Sequence, residues 1–166
     1  MDKEKFIQSG MIKFGDFTLT SGKKSTYYVD IKEACTDPAT LSEICDDLAG
    51  KTIYDTVAGM ELGAVPLIVG ISLKTGKPYI IIRKGEREHG TKKQIVGNIV
   101  SGSRIDLIED VVTTGNSLLK TAKILRENGA IVDHAVCVVD RESGGEELLK
   151  ENGIKLESVA KISELL

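Results

Sequence analysis

The chain has 166 residues, of which 41% are hydrophobic and 28% charged, with a formal net charge of −3. That length is enough for one domain with a real core, and the charge excludes the broadly basic surface of a general nucleic-acid binder. With 4% aromatics and no Trp, the core must rest on Ile, Leu, Val and Ala. The three cysteines, Cys35, Cys45 and Cys137, are odd in number and match no zinc spacing. They are expected to be reduced, small core hydrophobes. The first residues, Met1-Asp2-Lys3-Glu4-Lys5, lack the apolar stretch of a signal peptide, and no apolar run nears the length of a membrane span. A cytoplasmic protein is expected.

In chain order, Phe17 to Asp30 reads as a hairpin with Ser21-Gly22 as its turn. Asp37-Pro38 predicts a helix start, with Asp as cap and Pro in the first turn. Leu41, Ile44, Cys45 and Leu48 follow on one buried face, and Gly50 fits the stop. Thr56 to Gly59 is a short strand. Gly63 to Leu73 is a helix with an early Pro66, ending near Gly76. Pro78 to Ile82 is a buried strand by its continuous apolar run. Arg83 to Lys93 is polar and glycine-bearing, hence a loop. Ile95 to Val100 and Arg104 to Ile108 return to strand character. Asn116 or Ser117 can cap a helix that turns Leu118, Ala122 and Leu125 inward and stops at Gly129. A strand over Ala135 to Val139, a helix over Ser143 to Asn152, a strand over Lys155 to Val159 and a short helical tail complete the chain. Short strands alternating with helices predict an α/β fold with a mostly parallel sheet covered on both faces. With no repeat and no linker, residues 1–166 read as a single domain. Such sheets bind ligands at the carboxyl ends of their strands.

One strand end stands out. Arg104 to Ile108 runs into Glu109-Asp110, then Val111-Val112-Thr113-Thr114-Gly115-Asn116-Ser117, where a helix begins. Backbone N–H groups at a helix start attract a phosphate. Gly115 permits close approach, and Thr113, Thr114 and Ser117 can donate hydroxyl hydrogen bonds. Glu109 and Asp110 repel phosphate but suit sugar hydroxyls, or a magnesium ion close by. The arrangement fits a ribose phosphate. No Gly-Lys-Thr or Gly-Lys-Ser triplet and no dinucleotide glycine fingerprint occurs. His134 matches no motif, and a structural or solvent role is expected of it.

Leu107 to Ser117 resembles the phosphoribosyl pyrophosphate signature of the type I phosphoribosyltransferases, with Glu-Asp where many members have Asp-Asp. The resemblance implies that the two acids hold the ribose 2′ and 3′ hydroxyls, and that Thr113, Thr114, Gly115, Asn116 and Ser117 cradle the 5′-phosphate. Three further segments are similar to the orotate branch of that family. Phe17 to Asp30 looks like its N-terminal hood, placed at about residues 1–35, with Tyr27 and Tyr28 near the base. Thr20 stands where some members have a basic residue, for which Lys23 or Lys24 would substitute. Arg83-Lys84-Gly85-Glu86-Arg87-Glu88-His89-Gly90-Thr91 resembles the mobile catalytic loop, at about residues 83–94. Its Arg83, Lys84, Arg87 and His89 would neutralise the departing pyrophosphate. Many members have Lys where Arg87 stands. Asp140-Arg141 resembles the pair whose Arg meets orotate's polar edge, and a guanidinium matches a carboxylate. Ala58 to Ala64 sits where the family binds pyrophosphate, without the Lys some members carry there.

By resemblance, then, the catalytic group is Arg83, Lys84, Arg87, His89 and Asp110, and the orotate contacts are Tyr27, Tyr28, Lys23 and Arg141. Magnesium is carried by the substrate near Glu109 and Asp110, with no direct protein site. The partners are phosphoribosyl pyrophosphate, orotate and a second copy of the chain, whose basic loop would reach the neighbouring site. The alternatives are a phosphoribosyltransferase acting on a purine base or uracil, and a non-catalytic sensor of phosphoribosyl pyrophosphate.

Overall fold

A computed structural model describes residues 1–85 and 93–166. Helix α1 (Lys3–Gln8) starts where the Asp2 side chain accepts a hydrogen bond from Lys5 N–H. An antiparallel hairpin follows, β1 (Ile12–Thr18) with β2 (Lys24–Val29), in a two-stranded sheet of its own. Its turn closes through Gly22 at φ 80°, a left-handed conformation that glycine adopts without steric cost. The four-residue helix α2 (Ile31–Ala34) leads from the hairpin into the body of the molecule.

The remaining elements alternate along the chain: α3 (Pro38–Lys51), β3 (Val57–Met60), α4 (Ala64–Thr75), β4 (Tyr79–Ile82), β5 (Ile95–Val96), β6 (Arg104–Val112), α5 (Asn116–Glu127), β7 (Ile131–Asp140), α6 (Gly145–Glu151), β8 (Lys155–Lys161) and α7 (Ile162–Leu165). The sheet order is β5-β4-β3-β6-β7-β8, parallel throughout except for β5, which pairs antiparallel with β4 at one edge. The expected α/β fold is therefore present. Apolar clusters cover both faces. One joins Ile108 with Ile44 and Leu48 of α3 and Leu67, Ile68 and Ile71 of α4. The other joins Ile105 and Leu107 with Leu118, Ala122 and Leu125 of α5 and Leu149 of α6. Period-two alternation in β6 sends successive side chains to opposite faces.

Asp37 caps α3 by accepting from Thr40 N–H at 2.8 Å. Several boundaries differ from the sequence reading, among them β7, which runs from Ile131 to Asp140, and β8, which runs on to Lys161. Helix α3 runs through Gly50 to Lys51 and closes where the Thr52 hydroxyl donates to the Ala49 carbonyl. Strand β5 covers only Ile95–Val96, because Gly97 at φ 120° turns away and lies against Tyr79 O. Strand β6 continues through both acids to Val112. Helix α5 is preceded by Gly115 in the left-handed region, with no side-chain cap from Asn116 or Ser117. All three cysteines are buried and free. Burial pushes the Cys35 thiol up to about 12 and that of Cys45 to about 11, so neither is a nucleophile at neutral pH.

Candidate active site

The parallel sheet delivers four segments to one edge. Strand β3 ends at Met60 and passes into Glu61-Leu62-Gly63. Strand β4 ends at Ile82 before Arg83 and Lys84, β6 leads into Thr113 to Ser117, and β7 leads into Arg141. The hood approaches the same edge through α2.

Glu109 and Asp110 are both nearly buried, with 8% and 7% of their surfaces exposed. As neighbours on a strand they diverge. Glu109 Oε2 accepts from the Ser117 hydroxyl at 3.4 Å, and Glu109 lines a hollow of about 130 Å³ with Val111 to Leu118. Asp110 points toward the hood, where Oδ2 accepts from Lys32 Nζ at 3.0 Å and Oδ1 from Val111 N–H at 2.9 Å. Burial, then the hydrogen bond and charge of Asp110, push the Glu109 carboxyl up to about 8. At neutral pH the pair therefore carries less than two full charges, which lowers the barrier to an approaching polyanion.

The hollow beside Glu109 is formed by the 113–117 turn at the start of α5. Gly115 adopts φ 84° and packs against Gly145, where an added Cβ would lie 3.1 Å from Gly145 Cα and O. Asn116 Nδ2 donates to Thr114 Oγ1 at 3.1 Å. Thr113, Thr114, Asn116 and Ser117 are exposed to solvent, so their donors face outward from a helix start, as an anion site requires.

Arg141 lies over the Tyr27 ring, 5.4 Å from its centroid, and its Nη2 donates to the Tyr27 hydroxyl at 3.3 Å. Its Nε is buried without a hydrogen-bond partner among the described residues. Tyr28, next on the strand, turns to the other face of the hairpin and pairs with Phe17 at 5.8 Å between centroids. Tyr27 and Arg141 are thus brought together, while Tyr28 is not part of that contact. Lys23 sits exposed at the hairpin turn, where its carbonyl accepts from Leu19 N–H. Lys84 N–H donates to Glu61 Oε1 at 2.6 Å, and Arg83 N–H to Gln94 O at 2.8 Å. These two bonds tie the base of the basic segment to the 61–63 turn and to β5. Arg87 and His89 lie outside the described residues.

Two contacts at this edge escape a reading of the sequence. Lys32 reaches Asp110 across 78 positions of chain, and no local pattern marks it. Burial works against its charge, but the hydrogen bond and attraction of Asp110 outweigh this, and its pKa is raised. Gly63 lies so close to Asp110 that an added Cβ would be 2.2 Å from Oδ2. Its partner on β6 was visible in the sequence; the contact was not.

Comparison with known proteins places the fold and the family. The family model described as "Phosphoribosyl transferase domain" matches residues 28–161. An orotate phosphoribosyltransferase of Thermoplasma volcanium is 60% identical over 165 residues, covering 99% of each chain. One from Pyrococcus horikoshii is 48% identical over 164 residues, covering 96% of this chain and 88% of that one. The crystal structure of orotate phosphoribosyltransferase from Aeropyrum pernix superposes with a TM-score of 0.87 at 33% identity, covering 100% of this chain and 96% of the other. A Mycobacterium tuberculosis orotate phosphoribosyltransferase in complex with 5-phospho-α-D-ribosyl 1-diphosphate superposes with a TM-score of 0.78 at 28% identity, with 99% of both chains covered. The chain belongs to the phosphoribosyltransferase family, among its orotate phosphoribosyltransferases.

Proposed function

We propose that this protein transfers the phosphoribosyl group of 5-phosphoribosyl 1-pyrophosphate to orotate, giving orotidine 5′-phosphate and pyrophosphate in pyrimidine nucleotide synthesis. The observation that carries the reading is the meeting, at one sheet edge, of an acid pair, an outward-facing phosphate turn and an arginine held on a tyrosine ring.

In this reading Glu109 and Asp110 take the ribose hydroxyls, and Thr113 to Ser117 take the 5′-phosphate. Arg141 pairs with the orotate carboxylate, and Tyr27 sets the angle of its guanidinium. Orotate N1 attacks C1′ as the C1′–O bond breaks, pyrophosphate leaves with the electron pair, and the proton of orotate N1 passes to the departing pyrophosphate. The developing charge on pyrophosphate is neutralised by Arg83 and Lys84, joined by Arg87 and His89 of the same segment. Backbone N–H groups of the 61–64 turn serve the diphosphate. No covalent intermediate on the protein is needed.

Among the described residues no group of three or more His, Cys, Asp or Glu could hold a metal. The two acids present at the edge suit an ion bound mainly by diphosphate oxygens and water, which is how magnesium commonly binds at such sites. Magnesium would supply neutralisation of the diphosphate, close to Glu109 and Asp110. A homodimer is supported by exposed apolar side chains on α4 and in the turn before it: Leu73 is 84% exposed, with Pro66 exposed and Val69 half-buried, and Leu62 in the turn is 73% exposed. A cytoplasmic location is supported by three unpaired buried thiols and by the absence, among the described residues, of a helix long and apolar enough to cross a membrane.

The test follows pyrophosphate release from phosphoribosyl pyrophosphate with magnesium and, separately, orotate, uracil, adenine, hypoxanthine or xanthine. Release with orotate alone is the expected result. Release with a purine would overturn the assignment of Arg141, and binding of phosphoribosyl pyrophosphate without turnover would make the protein a sensor.

A further inference from the structure

The Lys32 ammonium is placed by the fold rather than by chance contact. Helix α2 has only four residues, and Ile31 and Ala34 on either side of Lys32 are buried in the core, with Cys35 buried just beyond. Its start is fixed by Asp30, whose Oδ1 accepts from Glu33 N–H at 3.2 Å. Anchored by these neighbours, Lys32 reaches from the hood to the sheet edge, where Nζ meets Asp110 Oδ2 at 3.0 Å. The two partners differ in exposure: the Lys32 side chain is 59% exposed and that of Asp110 is 11% exposed. The carboxylate is fixed from the other side by Val111 N–H and by the close backbone of Gly63. So the acid is held still while the ammonium keeps a free, solvated side facing the edge where substrate must arrive.

A substrate carrying a 5′-phosphate and a diphosphate must come within reach of two adjacent carboxylates. Like charges at that distance oppose binding unless a cation intervenes. Among the described residues, Arg141 is stacked on Tyr27, and Arg83 and Lys84 lie on the segment after β4 that the Lys84 backbone N–H ties to Glu61, whereas Lys32 is in direct contact with the acid pair. We propose that Lys32 is a positioning residue for phosphoribosyl pyrophosphate. It neutralises Asp110, holds its Oδ2 turned to the hood, and presents a free ammonium face to the diphosphate. Lys32 thereby couples the hood to the ribose site, so that this end of the cleft is electrically prepared before orotate enters. This rests on the reading of the cleft as a phosphoribosyl pyrophosphate site.

The experiment is calorimetric titration of phosphoribosyl pyrophosphate with magnesium into the wild type, Lys32→Met and Lys32→Arg, with thermal melting of each and steady-state constants for both substrates. Lys32→Met should bind phosphoribosyl pyrophosphate at least tenfold more weakly, with the KM for orotate changed less than twofold. Raising magnesium should recover part of the loss, because a divalent cation can stand in for the missing charge. Lys32→Arg should lie within about threefold of wild type. Affinity for phosphoribosyl pyrophosphate unchanged in Lys32→Met would overturn the proposal. So would an Arg variant as weak as the Met variant, since the effect would then come from the packing of the stem. A wild type that binds phosphoribosyl pyrophosphate but turns over no orotate would overturn the proposed reaction and leave this comparison intact. A wild type that does not bind it would end both.

Discussion

The Tyr27 hydroxyl accepts a hydrogen bond from Arg141 Nη2 at 3.3 Å while its ring carries the same guanidinium at 5.4 Å. A residue of the hood thus fixes the residue after β7, and two segments 114 positions apart act as one unit. Arg141→Ala should lower kcat/KM for orotate by about 10- to 100-fold, the usual worth of a charge-assisted hydrogen bond, with little change in KM for phosphoribosyl pyrophosphate. Tyr27→Phe keeps the stacking and loses the hydroxyl, and should cost about fivefold, as one neutral hydrogen bond does. Tyr27→Ala should approach the arginine variant. If Tyr27→Phe matches wild type, stacking alone holds Arg141.

Glu109 gives the cleft a pH dependence. Its carboxyl is raised to about 8 by burial and by Asp110, against an ordinary value of 4.5. The folded state keeps a proton that the unfolded chain has released above 4.5. The stability this contributes is present below that value and is lost as pH rises toward 8. Urea melts of the ligand-free protein should therefore fall by on the order of 1 kcal/mol or more between pH 5 and 8, and Glu109→Gln should flatten part of that slope. Ribose hydroxyls donate to an ionised carboxylate, so substrate binding near pH 7 should release a proton. Calorimetry in buffers of different ionisation enthalpy measures it, and the Gln variant should release none from this site.

Gly63 is a steric requirement of the acid pair. A Cβ there would sit 2.2 Å from Asp110 Oδ2 and 2.5 Å from its Cγ, distances that force the carboxylate or the turn to move. Gly63→Ala should weaken phosphoribosyl pyrophosphate binding at least tenfold, and overpacking should cost about 1–3 kcal/mol of stability. Equal binding by this variant would show that Asp110 can shift without loss, and that its observed position is not the working one.

How legible this site was depends on distance along the chain. The acids, the small-residue turn and the helix after them lie within nine residues, so strand, turn and helix chemistry could be read together. Even there the apolar run ends at Ile108, while the strand continues to Val112. Glu109 and Asp110 break the apolar run, yet both stay buried in β6 because Ser117 and Lys32 come to meet them. Asn116 and Ser117 suggest a side-chain cap at the start of α5, whereas Gly115 makes the turn by conformation alone. Asp37 and Pro38 were readable because a cap is a contact over three residues. The contacts of Lys32 and Gly63 with Asp110 are not, because each depends on a partner from a distant element; for His134 the expected structural role holds, but the two carboxylates it joins lie on other strands. The strand reading over Ile95 to Val100 failed for a related reason: apolarity was counted, but Gly97 and its contact with Tyr79 O end the pairing.

His134 gives the starkest case of a role created by the fold. Its Nδ1 lies 2.6 Å from Asp106 Oδ1 and its Nε2 2.6 Å from Glu157 Oε2, joining β6, β7 and β8. Asp106 is fully buried, and its Oδ2 accepts from Ile53 and Tyr54 N–H at 2.9 and 2.8 Å. A neutral imidazole has one N–H and can donate to one of these carboxylates, while the imidazolium serves both. The hydrogen bond that His134 donates to Asp106, opposed by burial and aided by Glu157, raises the pKa of His134 above 6.5, and His134 in turn lowers that of Glu157 below 4.5. The stability from His134 is complete below 6.5 and is lost as pH rises through its raised folded value. That from Glu157 is complete above 4.5 and is lost as pH falls. The cluster thus contributes most between about 4.5 and 6.5. His134→Phe should cost about 2–4 kcal/mol at pH 6, because Asp106 Oδ1 is left buried without its ring partner. For a chain of this size that lowers the melting temperature by several degrees. The variant should also lose the part of the alkaline slope that Glu109→Gln retains. His134 stands six residues before Asp140 on β7, about 20 Å along an extended strand, so KM for both substrates should stay at wild-type values. A change in either KM would mean that the cluster reaches the cleft through β6, where Asp106 precedes Glu109 by three residues.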